Sequence, residues 1–180
     1  MKILIFMPHL PLIFDWIIND NVKLLKLIDI INHSKFEVTL KFHPRYSQYK
    51  SFKKFISNNI AISEGYNSIE LIKESDLIIA MESSSVVFEA VHYKKPFIYW
   101  IDFITIFDNE TAYTRFINKI SCLTFDELKS LFKSQFKNFD PSKYLPKISE
   151  NEIFSCTGKK SGVLTKKIIS NILFELNGGS

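Results

Sequence analysis

At 180 residues, with 46% hydrophobic and 23% charged residues, the chain has the size and balance of one soluble domain with a full core, which excludes a disordered or fibrous protein. Its net charge of +4 is mild, and the cations are nearly all lysines spread along the chain, with Arg45 and Arg115 as the arginines. That spread argues against nucleic acid, which asks for basic residues gathered on one face, and suits an anionic small ligand or an acidic membrane surface.

The N-terminal MKILIFMPHLPLIF is apolar, but Pro8, His9 and Pro11 interrupt it and no small-residue cleavage site follows. It reads as a strand, Lys2–Phe6, and a loop, not as a signal peptide. Asn21–Asn32 has apolar residues at helical spacing, and Glu37–Phe42 is a second strand that stops at His43-Pro44. Tyr46–Asn58 is rich in lysine and aromatic residues and reads as a helix; Ile60–Ser63 is a third strand ending at Gly65. Asn67-Ser68 caps a helix running through Glu74. Leu77–Met81 is the fourth strand, Ser84–Tyr93 the next helix and Pro96–Ile101 the fifth strand. Asp126–Phe136 is helical, Asp140-Pro141 opens a loop, and Gly158–Leu176 contains an amphipathic helix, KKIISNILFEL. Asn177–Ser180 reads as a flexible tail or cloning remnant. No segment approaches the roughly 18 apolar residues of a membrane span. Cys122 and Cys156 lack metal spacing and read as reduced thiols of a cytosolic protein.

Strands alternating with helices imply a Rossmann-like, doubly wound parallel sheet in a single domain over residues 1–176. In such a sheet ligands bind outside the carboxyl ends of the strands. Those ends carry Met7-Pro8-His9, His43-Pro44-Arg45, Glu64-Gly65, Glu82–Ser85 and Asp102. Ser83, Ser84 and Ser85 precede a helix whose free N–H groups and dipole favour an anion, and their hydroxyls donate to phosphate oxygens beside those groups. The plainer reading is that one serine is only an N-cap. Glu89 lies in the apolar run Val86–Val91. Either it sits on the solvent face, or it is a carboxylate one turn below a phosphate site that accepts from ribose hydroxyls. His43 is held between a strand and a proline beside Arg45, and can donate to a phosphate or leaving-group oxygen; Arg45 alone reads equally well as a solvated charge.

Taken together, KFHPR and ESDLIIAMESSSVVFEAVHYKKPFIYW resemble the carboxyl-terminal domain of GT-B glycosyltransferases of bacterial surface-polysaccharide synthesis. These include the CDP-glycerol glycerophosphotransferases of teichoic-acid assembly, capsule Kdo transferases, and sialyl- and polysialyltransferases. The shared features are an HP motif (His43-Pro44), a paired serine motif (Ser84-Ser85), an acidic residue (Glu89) and a Lys-Pro (Lys95-Pro96). ILIFMPHLP and FSCTGKKSGVLTKKII resemble the opening strand and closing helix of that domain, so the resemblance spans nearly the whole chain.

The resemblance implies a CMP- or CDP-linked sugar or glycerol donor as substrate. His43, the candidate catalytic residue, contacts the donor phosphate; Ser84 and Ser85 bind phosphate oxygens; Glu89 holds the ribose; and the Glu64-Gly65 turn lies near the base. It implies no metal or other cofactor in the donor site, a polysaccharide or lipid-linked acceptor, and an amino-terminal GT-B domain that this chain lacks. It also implies work in the cytoplasm or at the cytoplasmic face of the membrane. Two other readings compete: a UDP-sugar enzyme of the UDP-N-acetylglucosamine 2-epimerase-like group, and a non-catalytic nucleotide-binding or scaffolding module. A response-regulator-like domain is set aside, because Pro8-His9 and Glu64-Gly65 stand where it needs acids and an aspartate.

Overall fold

A computed structural model describes residues 1–7, 25–42, 53, 55–57, 60–63, 65, 68–81, 86–102, 114–137 and 139–155. The chain divides into two compact units, Met1–Lys147 and Ile148–Ser180. The first contains a six-stranded sheet of β1 (Lys2–Phe6), β2 (Glu37–Lys41), β3 (Ile60–Ser63), β4 (Leu77–Ala80), β5 (Phe97–Trp100) and β6 (Ser121–Leu123). All neighbours pair in parallel, in the order β3-β2-β1-β4-β5-β6. The described helices of this unit are residues 25–32 (α1), Ser68–Glu74 (α2), Val86–His92 (α3) and Phe125–Lys133 (α4), with 3₁₀ turns at Thr114–Lys119 and Pro141–Tyr144.

The central strands are apolar without alternation because both faces of a parallel sheet are covered. All four residues of β4 and all four of β5 are buried. One face presents Ile3, Ile5, Met7, Val38, Leu40, Leu77, Ile79, Ile98 and Trp100. It packs with Leu27, Ile28 and Ile31 of α1 and with Phe125, Leu128 and Phe132 of α4. Each such side chain contributes roughly 1.5–3 kcal/mol on burial. The alternate residues Leu4, Ile78, Ala80, Phe97 and Tyr99 are equally buried on the other face. Helices α2 and α3, whose buried Ile72, Val86, Val87 and Ala90 lie outside the first cluster, cover that side.

Helix ends follow local chemistry. Thr124 and Glu127 form a reciprocal capping box at the start of α4. Helix α3 closes in a Schellman motif: Lys95 N–H donates to Ala90 O (2.8 Å), Lys94 N–H to Val91 O (3.1 Å), and Lys94 itself takes φ 52°. Helix α4 ends in the same way, through Phe136 N–H to Leu131 O and Gln135 N–H to Phe132 O, both 3.0 Å. In the second unit the described helix is α5 (Glu150–Ser155), which Ser149 and Glu152 cap reciprocally.

The structure differs from the sequence reading at four places, one of them the 3₁₀ turn Thr114–Lys119, in a stretch to which no element was assigned. It adds β6, a three-residue strand, beside β5. The 3₁₀ turn Pro141–Tyr144, N-capped by Asp140, stands where a loop was expected. It also adds α5. The expected helices over Tyr46–Asn58 and Gly158–Leu176 lie largely or wholly outside the described residues, as does the tail at 177–180. Among the described residues no helix is long and apolar enough to cross a membrane.

Candidate functional site

A parallel sheet of this order has its topological switch point between β1 and β4, the first strands of its two halves. The chain leaves β1 at Met7 and β4 at Met81, and Met81 N–H donates to Phe6 O at 3.3 Å, so the two exits lie side by side. On one flank Met7 N–H donates to Lys41 O (2.9 Å) and Phe42 N–H to Ser63 O (3.3 Å), which extends the ladder across the ends of β2 and β3. The ligand crevice of such a sheet opens above this row of exits.

Glu89 occupies the first turn of α3, the helix that follows β4. It is half-buried, and its Oε2 atom is buried with no hydrogen-bond partner among the described residues. Burial pushes its carboxyl above the usual range, against a smaller opposing pull from its own backbone amide. A buried carboxylate oxygen without a donor is an acceptor waiting for one. The solvent-face reading of Glu89 therefore does not hold for this oxygen.

Gly65 follows β3 with φ +86°, a left-handed conformation that glycine takes without strain. A Cβ placed there would meet nothing within 4 Å, so the backbone angle alone asks for glycine. Three inter-strand spacings separate β3 from β4, about 14 Å, so the Gly65 turn and Glu89 belong to different parts of the edge. His43, Arg45, Ser83, Ser84 and Ser85 lie outside the described residues, as do His9 and Glu64.

Two residues of the candidate motifs have structural work. Lys95 Nζ donates to the carbonyls of Lys73 (2.5 Å) and Ser75 (2.9 Å), and so caps the end of α2 on the far side of the sheet from the exits. Asp102, past the end of β5, accepts from Trp100 Nε1 (2.7 Å) and from Phe125 N–H (2.6 Å), which ties β5 to the start of α4. Sequence reasoning missed Lys41, the last residue of β2, which is 2% exposed and whose ammonium donates to Gly65 O. The signal was present: the alternation in EVTLK places a lysine on the same face as Thr39, opposite Val38 and Leu40. Among the described residues no group of three or more His, Cys, Asp or Glu is arranged to hold a metal ion.

Comparison with family models and with curated proteins finds no match. Comparison with solved structures does. The spinosyn rhamnosyltransferase SpnG superposes with a TM-score of 0.50 at 14% identity, over 75% of this chain and 34% of that one. The glycotransferase of kitacinnamycin gives 0.52 at 9%, over 92% and 42%. The Methanocaldococcus jannaschii UDP-GlcNAc 2-epimerase, solved with UDP-GlcNAc and UDP, gives 0.52 at 18%, over 94% and 45%. The fold is Rossmann-like and of the GT-B type. The chain spans from about a third to just under half the length of these proteins.

Proposed function

We propose that residues 1–176 form the donor-binding domain of a glycosyltransferase-type enzyme, taking a nucleotide-activated sugar or glycerol. The observation that carries this reading is the buried Oε2 of Glu89, without a hydrogen-bond partner among the described residues, on the helix leaving β4, beside the switch point. Ribose hydroxyls are donors that suit such an acceptor, and in sheets of this kind a carboxylate near the switch point holds ribose. With Glu89 on the ribose, Ser83, Ser84 and Ser85 donate to phosphate oxygens one turn nearer the sheet edge. His43, helped by Arg45, donates to the leaving phosphate. The developing charge is then met by fixed donors instead of water. Transfer also requires an acceptor, polysaccharide or lipid-linked, and a second GT-B domain to present it and its general base.

A cytidine donor, CMP- or CDP-linked, is supported by the HP and Ser-Ser motifs and with it a role in bacterial surface-polysaccharide synthesis at the cytoplasmic face of the membrane. A uridine donor is the second reading, favoured by the breadth of the likeness to the epimerase solved with UDP, which covers 94% of the chain. Ser84→Ala with Ser85→Ala tests the site. It should lower nucleotide affinity at least tenfold in calorimetry, since two charge-assisted hydrogen bonds are lost, each contributing about 1.5–3 kcal/mol. If the serines only cap α3, stability falls by about 1 kcal/mol and affinity holds, which would remove the phosphate site.

A further inference from the structure

Helix α4 buries Phe125, Leu128 and Phe132 on one face and leaves the opposite face exposed. On that face Asp126, Ser130 and the C-cap Ser134 follow at four-residue spacing, with Glu127 and Leu131 beside them. Together with Leu123 at the end of β6 and Tyr144 of the second 3₁₀ turn, they line an open groove of about 570 Å³, wholly within the first unit.

The walls of this groove are fixed. The Thr124–Glu127 capping box sets the head of α4, and Asp140 caps the 3₁₀ turn. Tyr144 stacks on Phe139 with 5.1 Å between ring centroids, and Lys147 N–H donates to Lys119 O at 2.8 Å, which straps the segment after the turn to the one before β6. A groove formed in advance spares a partner the cost of ordering it.

Its chemistry is one-sided. Leu123, Leu131 and Tyr144 give a half-buried apolar floor, and Leu145, next in the chain, is 38% exposed. The serine hydroxyls turn back on their own helix, Ser130 to Asp126 O (2.7 Å) and Ser134 to Leu131 O (2.8 Å), so they offer a partner little beyond their small size. Both charged side chains of the lining are carboxylates, on a chain with 23 lysines and arginines against 19 acids. The Asp126 carboxylate has no hydrogen bond or ion pair among the described residues. The nearby cations are turned elsewhere: Lys129 lies over the Phe125 ring, 5.8 Å from its centroid, and Lys143 stands by Asp140. From Asp126 to Ser134 the helix rises roughly 12 Å, about two turns of a second helix laid alongside it.

We propose that this groove docks an amphipathic helix of a partner polypeptide, which lays its apolar side chains on Leu123, Leu131 and Tyr144 and sets lysine or arginine beside Asp126 and Glu127. The occupant follows from charge: an apolar floor with an anionic head and no cation in the lining complements a segment that is apolar along its length and positive at one end. The net charge of +4 repels such a segment elsewhere, so its attraction must be local.

The test titrates the whole chain with a fluorescent leucine–lysine amphipathic peptide of about 14 residues, and with its leucine–glutamate counterpart, at about 0.1 M salt. The lysine peptide should saturate one site, and the glutamate peptide should bind about tenfold more weakly or not at all. Ser130→Arg, which fills the groove and adds a like charge, should weaken the lysine peptide about tenfold, and Asp126→Asn about threefold. Asp126→Asn changes an exposed residue conservatively and keeps the test decisive if Ser130→Arg misfolds. Equal binding of both peptides would leave only apolar adhesion and overturn the proposal, as would no binding of the lysine peptide or unchanged affinity in both variants. Saturation by dodecylamine in place of the peptide would make the groove a small-amphiphile site, and dimerisation of wild type that Ser130→Arg abolishes would make the occupant a second copy; either result overturns the proposal. None of these outcomes depends on nucleotide binding, so the proposal and the donor-site reading fail separately.

Discussion

Glu89 is the residue on which structure and chemistry meet most closely. Burial raises its carboxyl pKa, so at pH values between the ordinary and the raised one the native state keeps a proton that the unfolded chain has released. The native state then binds more protons than the unfolded one, and stability falls as pH climbs from about 4.3 through the raised native value. Glu89→Gln removes that loss. The variant should be more stable than wild type at pH 7, with the difference closing below about pH 4.3, as urea midpoints across that range will read. Its nucleotide affinity should nonetheless drop about 10- to 100-fold, because the amide is a poorer acceptor for ribose hydroxyls. A Glu89→Gln domain less stable than wild type at pH 7 would mean that the carboxylate has a stabilising partner, and would count against its being reserved for a ligand. In wild type, affinity should rise with pH through the raised pKa, since ribose donors need the ionised form. Much at this scale was invisible in sequence. Glu89 in an apolar run left two readings open, and burial of one oxygen with no donor among the described residues argues only against the solvent face. Asp102 looked available as a polar residue at a strand end and Lys95 stood in the Lys-Pro motif, yet both satisfy backbone groups, because helix termini carry orphan N–H and C=O groups that must be met somewhere.

At the scale of elements the sequence was most legible where a continuous apolar run is bounded by polar residues. Lys2–Phe6 and Ile60–Ser63 were read with the bounds they have, and β4 and β5 to within a residue at each end. The missing strand, Ser121–Leu123, is too short to show alternation; its pairing with β5 makes it a strand, and no local propensity announces that. Lys94 is similar: nothing in YKKP marks a left-handed residue, but the Schellman bonds of α3 require one. Lys94 pays a steric cost that glycine would avoid. Lys94→Gly should therefore stabilise the domain by about 0.5–1 kcal/mol, the relief of left-handed strain being partly offset by the greater freedom of glycine in the unfolded chain. A urea denaturation series would read it; a destabilised variant would show that the Lys94 side chain contributes more than its backbone costs.

For the whole molecule, alternation of strands and helices gave the fold class but not the pairing. The order β3-β2-β1-β4-β5-β6 depends on contacts distant in the chain, and it is this order that puts the switch point between β1 and β4 and so gives Glu89 its meaning. The likeness in fold to two glycosyltransferases and an epimerase places the chain among proteins of one architecture, at identities of 9% to 18% that leave substrate open. Binding is therefore the decisive property. The most direct measurement is isothermal titration of the chain with CMP, CDP, UMP, UDP and AMP, paired with thermal unfolding. A ligand confined to the native state adds about 2.7 kcal/mol of stability at a hundredfold excess over Kd. Saturable binding of a pyrimidine nucleotide is expected, strongest with cytidine and abolished or much weakened by Glu89→Gln. Binding of none of the five, or equal binding of all of them with Glu89→Gln unaffected, would contradict it.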